Sequence, residues 1–423
     1  MHVTKNMKKI ANYFGKHHFL FIGCLALVSI FILFLRRPDI LLTPQFWAED
    51  GKYWFGEAYR HGPLRSLLFT YAGSPQLMMR IIGSTSLWLP FAFVPVLFTC
   101  IAILVQIIPL LLIHTRRYRP IFSSTQVRWA ISIVYLFMPN SIEVHANLTN
   151  VGWHLTLVSF LILIGPATKQ RIWKVFDISF LVVGILTGPF SLLLLLPATL
   201  VLRKFRGSQN IRNTVIVSCG AFIQIMVLVA KGASERQTTI SSIGASASVF
   251  VQILGKRIFG VSLLGNQIAL KHINKYLVIF FFITGALAML YTFKKAGFYL
   301  RLFVGFCWLV LIATLISPAM GGSWLVQLQA VNDRYWFLPT LAFLISLVWL
   351  TNAKNVHIAF KYLAVLALAS SVLIAVPASF RYSPLPDKNF RSGAKKFNQL
   401  KSGENICIEV NPDNGWLTCL TKK

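Results

Sequence analysis

Nine stretches of this chain are apolar for long enough to enter a bilayer's hydrocarbon core, which takes about 20 such residues per helix, fewer where interfacial residues flank it. They run over 19–35, 87–113, 129–141, 152–165, 214–230, 277–293, 302–317, 336–350 and 363–377. A tenth run, 178–202, is broken by Gly188-Pro189 and again by Pro197. Backbone at membrane depth must satisfy its hydrogen bonds internally, so the expected fold is an all-α polytopic membrane protein. Composition agrees. The chain is 56% hydrophobic and 13% charged, against about 25% charged in a soluble domain.

The charge balance is lopsided: 41 Lys+Arg against 12 Asp+Glu give +29. A basic excess of this size often marks a nucleic-acid binder, but the apolar content excludes that class. In a membrane protein, cations instead hold short loops in the cytoplasm. The first stretch follows Lys5, Lys8, Lys9 and Lys16 and ends in Leu35-Arg36-Arg37 without a small-residue cleavage site. It reads as an uncleaved anchor with residues 1–18 cytoplasmic, rather than as a signal peptide. If 178–202 crossed the membrane, Arg203, Lys204, Arg206 and Arg212 would face outside. If it enters and returns, turning at Gly188-Pro189, they stay inside. The positive-inside rule favours the re-entrant reading over a kinked span.

The resulting map has nine spans and one re-entrant segment within 19–377, with outer loops 36–86, 142–151, 231–276 and 318–335. An outer tail, 378–423, follows. About half of the cations fall in the inner loops, whereas Asp177 is the single acid there. No acid lies in a span, which argues against an ion-coupled transporter. Within the outer loops, 75–87 and 249–268 mix apolar residues with Arg80, Lys256 and Arg257. They read as helices on the membrane surface or as caps on the bundle.

The polar chemistry collects in those outer segments. The first contains Phe46-Trp47-Ala48-Glu49-Asp50-Gly51. Adjacent carboxylates repel, which raises the pKa of one. Such a pair suits a general base for a sugar hydroxyl or a divalent cation. It would equally suit ion pairs to nearby arginines. The second segment gathers Glu143, His145, Asn147, Asn150, Trp153 and His154, a mixture that binds sugars but also caps helices. Arg334, at the edge of a span, suits a lipid phosphate or a pairing with Asp333. Cys24, Cys100, Cys219 and Cys307 lie in spans. Cys407 and Cys419 share the outer tail and are expected to form a disulfide there. The two histidines have no zinc spacing, and no resident cofactor is implied.

Taken in order, several pieces resemble the phage-encoded serotype-converting O-antigen glucosyltransferases of enteric bacteria, within the polytopic GT-C superfamily. They are Phe46-Trp47-Ala48-Glu49-Asp50-Gly51, Tyr71-Ala72-Gly73 with Leu77 and Arg80, Asn147-Leu148-Thr149-Asn150 with Trp153-His154, and Leu186-Thr187-Gly188-Pro189-Phe190-Ser191. Arg334-Tyr335-Trp336-Phe337-Leu338-Pro339 and Val410-Asn411-Pro412 with Trp416 complete the set. The Cys407/Cys419 pair has no counterpart in that pattern. The resemblance implies glucosyl transfer from undecaprenyl-phosphate-glucose to a sugar hydroxyl of the lipopolysaccharide O-antigen, at the periplasmic face of the bacterial inner membrane, with inversion. A flippase and a polyprenyl-phosphate glucosyltransferase would supply the donor. It implies Asp50 as base with Glu49 as helper, Arg334 on the donor phosphate, and Glu143, Asn147, Asn150, Trp153, His154 and Trp47 around the sugars. Two other readings stand beside it: a transferase moving a different sugar to lipid A or protein, and a flippase of a lipid-linked glycan.

Overall fold

The computed structural model describes residues 18–235, 246–316, 333–354, 356–412 and 415–423. The basic N-terminal residues Lys5, Lys8, Lys9 and Lys16, most of loop 318–335, part of loop 231–276 and Asp413 lie outside the described residues.

The chain is mostly helical. Its principal helices are α1 (His18–Arg36), α2 (Leu77–Thr85), α3 (Val94–His114), α4 (Thr125–Phe137), α5 (Val151–Ile164), α6 (Arg171–Leu186) and α7 (Phe190–Lys204). The second half adds α8 (Ser208–Glu235), α9 (Ala247–Lys271), α10 (Lys275–Lys295), α11 (Phe298–Ile316), α12 (Arg334–Asn352), α13 (Ile358–Ser379) and α14 (Phe390–Gln399). One antiparallel pair, β1 (Asn405–Glu409) and β2 (Leu417–Thr421), ends the chain. Among the described residues, eight helices are long and apolar enough to cross a membrane: α1, α3 (with its short lead-in from Phe91), α8, α9, α10, α11, α12 and α13.

Seven of these match expected spans, and three differences have physical causes. The stretches 129–141 and 152–165 form α4 and α5, of 13 and 14 residues. At 1.5 Å per residue these reach only about 20 Å. Every residue of α5 is buried, so its length is set by surrounding protein rather than by lipid. The third difference is α9, which the sequence reads as a surface helix or a cap within an outer loop. It is instead an apolar element lodged in the bundle, widened at Ile253–Gly260 and kinked at Gly265. It lies against α10 so closely that a Cβ on Gly255 would meet Val278 O at 2.2 Å. Arg257 interrupts the hydropathy of α9, and its partner, Asp333, is far away in sequence. Of the two readings of 75–87, the cap on the bundle fits: in α2 Arg80 points inward and is buried.

The interrupted run 178–202 is a hairpin of α6 and α7 joined at Thr187–Pro189. Its two feet share one end of the bundle. Asp177, two turns into α6, accepts two 2.7 Å hydrogen bonds from Arg117 and lies 4.0 Å from Arg212 at the start of α8. Gln209 reinforces this join, donating to Gly165 O and accepting from Thr168 N. The hairpin tip reaches the other end, where Thr187 Oγ1 accepts from Met78 N at 3.0 Å. Each arm is about 23 Å long.

Two hydrophobic cores result. The larger lies inside the bundle around α5 and α12. The smaller joins the 46–98 region to α14 and the β-hairpin through Phe46, Phe55, Phe91, Phe390 and Phe397. It forms a cap. A Cβ on Gly51 would fall on Thr418 Oγ1 and one on Gly83 would come within 2.2 Å of Trp54 O, so the cap depends on glycine at both contacts. Gly83→Ala is expected to destabilise the purified protein by about 1–3 kcal/mol through overpacking. Gly23→Ala, with nothing within 4 Å of its added carbon inside α1, should not destabilise the protein, since alanine is the better helix former. Equal melting curves for both variants would refute this account of the cap.

Candidate functional site

The cap and the bundle meet at a cluster of carboxylates built from three distant segments. The first is the turn before the wide helical segment Asp50–Phe55. Ala48 enters this turn with φ 41°, and its backbone N–H donates to Asn411 O of the tail. The second is the irregular 138–150 stretch, the third the start of α12. Five of the six non-glycine residues with positive φ, among the described residues, lie in the loops around this point: Ala48, Ala72, Gln76, Asn140 and Ala146. Alanine gains nothing locally from that conformation, which costs on the order of 1 kcal/mol per residue. Strain of this kind gathers where surrounding structure fixes a functional geometry.

Asp50 and Glu49 sit differently. Asp50 is buried; its carboxyl accepts from Thr149 Oγ1 at 2.8 Å and from Trp47 N at 3.4 Å. Trp54 Nε1 donates to the same threonine oxygen at 2.9 Å. Burial, and secondarily the charge of Glu49, push Asp50 up to about 8. Glu49 is only partly buried and accepts from the Tyr71 hydroxyl at 3.1 Å. Burial and that carboxylate hold the Tyr71 hydroxyl well above its usual range. At neutral pH the pair thus consists of a protonated Asp50 behind a more accessible Glu49.

Glu143 and Arg334 form one unit. The Arg334 guanidinium and backbone N–H both donate to the Glu143 carboxylate, the latter at 3.2 Å. Burial raises Glu143 even with this cation against it. Glu49 is close enough to act electrostatically on both. Next to them Asp333, raised to about 7 by burial, faces Arg257 at 3.8 Å. The site residues expected from the sequence therefore divide. Glu49, Asp50, Glu143 and Arg334 converge. Asn150 is spent internally, donating to Glu143 O at 2.9 Å, while Asn147 accepts from Asn150 N. His154 contacts Tyr135 Oη and Val144 O at 2.8 Å each, which leaves no ring nitrogen for a sugar. Trp153 packs against Phe190 and Tyr335. Trp47 is partly buried under Arg37 and pairs with Asn411. These five residues hold the cluster's walls in place.

Several participants carried no sequence signal of their own. Tyr71 and Thr149 lie in the quoted motifs but announce no role until their hydroxyls are seen on the carboxylates. Arg80 is different: a cation flanked by Leu77, Met78, Ile81 and Ile82 signals a buried partner, and Glu57 is that partner. Cys407 and Cys419 face each other in the hairpin register and are disulfide-bonded. The hairpin also sets Trp416 against Tyr53, with Lys52 over both rings. Among the described residues no three His, Cys, Asp or Glu side chains converge as a metal site, so no ligand set is assigned to a divalent cation.

The Asp50 environment has a measurable consequence. A carboxyl held at about 8 in the fold, against an ordinary 3.8, binds a proton more tightly folded than unfolded. Its contribution to stability is fully present below about pH 4 and declines as pH rises to about 8. Asp50→Asn mimics the protonated state and removes that dependence. In thermal unfolding of the purified protein, the variant should gain on the wild type between pH 5 and 8. Parallel curves across that range would contradict the assignment.

Comparison with protein families, with characterised proteins and with solved structures found no match, so the functional reading rests on the residues and their geometry.

Proposed function

We propose that this chain is a membrane-embedded glycosyltransferase of the polyprenyl-phosphate-sugar-dependent kind. It moves a glucosyl residue from undecaprenyl-phosphate-glucose to a sugar hydroxyl of the O-antigen, with the capped end of the bundle at the periplasmic face of the inner membrane. In this topology residues 1–18 and the feet of the α6–α7 hairpin are cytoplasmic, and the hairpin is the re-entrant segment. The observation that carries the reading is the convergence of Glu49, Tyr71, Glu143 and Arg334 at the start of a membrane-length helix. A carboxylate beside a guanidinium at that position supports a base next to a lipid phosphate.

The roles follow from access and charge. Glu49 takes the proton of the acceptor hydroxyl. The resulting oxygen attacks the anomeric carbon while the bond from that carbon to the phosphate oxygen breaks, and the configuration inverts. The polyprenyl phosphate leaves against Arg334, whose remaining donors are not all used by Glu143. A protonated Asp50 avoids a second negative charge beside the base and keeps the turn packed on Thr149. This exchanges the two acids relative to the expectation from the sequence, which gave Asp50 the base and Glu49 the helper role.

The test is glucosyl transfer by purified protein from undecaprenyl-phosphate-glucose to O-antigen. A positioned base contributes about 10²–10⁴-fold, so Glu49→Gln should lose activity in that range, and Asp50→Asn much less. Arg334→Ala should chiefly raise the KM for the donor. A fully active Glu49→Gln enzyme removes the base assignment. A wild type that translocates the lipid-linked glycan without transferring sugar replaces the whole reading with the flippase.

A further inference from the structure

A groove of about 840 Å3 opens between α7, α9, α10 and α11, at the end of the bundle away from the carboxylate cluster. Its position follows from α12, which begins at Arg334 and ends at Asn352. Asn352 lines a separate cavity together with Tyr299 and Leu300 of the first turn of α11. The start of α11 therefore lies opposite Glu49 and Arg334. The two cations of its lining, Lys204 and Arg301, lie at that end, and from there the groove follows α11 to Ile312. Eleven residues of helix rise about 16 Å, close to half of a ~30 Å hydrocarbon core. The groove is one leaflet deep.

Apart from these two cations, the lining is apolar. Neither cation is in an ion pair among the described residues. Both are nonetheless held in place. Arg301 Nε donates to Ala296 O at 2.9 Å, which leaves both terminal amino groups for a ligand. Lys204 Nζ stands 4.0 Å over the Phe298 ring. On the groove floor, a Cβ on Gly305 would sit 3.1 Å from the Phe293 ring, so the available width depends on glycine there.

An apolar channel one leaflet deep, with two cations that no described residue ion-pairs, complements one chemical class. A guanidinium with two free amino groups matches two oxygens of a phosphate, and basic pockets between helices at a membrane surface bind anionic headgroups. We propose that α7, α9, α10 and α11 form a binding site for an anionic glycerophospholipid, with its phosphate on Lys204 and Arg301 and an acyl chain in the groove. A zwitterionic lipid would leave these cations with uncompensated charge. A polyprenyl-phosphate donor would have its phosphate at the end remote from Glu49.

The experiment is native mass spectrometry of the full chain released from nanodiscs of equal parts phosphatidylglycerol and phosphatidylethanolamine. A second arm adds undecaprenyl phosphate. The wild type should retain phosphatidylglycerol in preference. Lys204→Ala with Arg301→Ala should lower that retention about tenfold, and Arg301→Lys, which keeps the charge but not the fork, by less. Gly305→Phe should lower it with both cations intact. Arg203→Ala with Arg206→Ala should leave it unchanged. The proposal is overturned if the wild type retains no lipid or both lipids equally, if the double variant retains as much phosphatidylglycerol as wild type, or if undecaprenyl phosphate displaces it. Closure of the groove by a second copy of the chain would also overturn it.

Discussion

Irregular backbone beside a bilayer has no lipid partner for its hydrogen bonds, and this protein meets that constraint with buried arginines. Arg36, at the end of α1, donates to Leu136 O, Met138 O and Phe380 O and to the Tyr382 hydroxyl. Arg80 donates to Phe69 O, Thr70 O and Tyr53 O and pairs with Glu57. A guanidinium carries five donors in a fixed plane, so one side chain closes several open carbonyls at once. Each carbonyl left unpaired would cost about 1–3 kcal/mol. The two turns that carry the carboxylates are built on these anchors. Without Arg80 the Glu49 turn loses the floor on which Trp54 and Tyr53 stand. Without Arg36 the 138–150 stretch is joined to the tail less fully, through Ser141 and His145 on Tyr382.

The same economy explains the division of labour among polar residues in the cluster. A site next to a membrane is formed by segments with little regular structure, so much of its polar inventory is spent on its own backbone. Asn150 and His154 are consumed this way, and Glu143 is partly consumed by Arg334. Glu49 stays partly open because Tyr71 alone donates to it among the hydrogen bonds described. The contrast between Glu49 and its neighbour Asp50 comes from one residue of phase along the turn, which points the buried Asp50 carboxyl at Thr149 and the partly exposed Glu49 carboxyl at Tyr71.

Much of this was legible in the sequence, and the illegible part has a consistent origin. Apolar runs located seven membrane-length helices because each is a local property of some twenty residues. The break at Gly188-Pro189 located the hairpin tip. The acids were few enough that Glu49, Asp50 and Glu143 stood out, and Arg334 stood out beside an apolar run. What failed depended on distant partners. Arg257 made α9 look like surface until Asp333 was placed against it. Trp153 and His154 looked like sugar ligands because composition cannot tell a ring facing a ligand from one facing Phe190 or Phe337. That Asp50 is the buried member of the acidic pair depended on Thr149, about a hundred residues away.

The backbone bond from Ala48 to Asn411 carries a consequence for how such a protein comes into being. The turn holding the carboxylates completes its hydrogen bonds with the Asn411 segment, which lies between two strands stapled by Cys407 and Cys419 and is made only after every helix that separates it from the turn. Every intervening helix must be inserted before the two meet. Until then the turn lacks that partner. The geometry of the carboxylate pair is complete only once the tail has folded back over it.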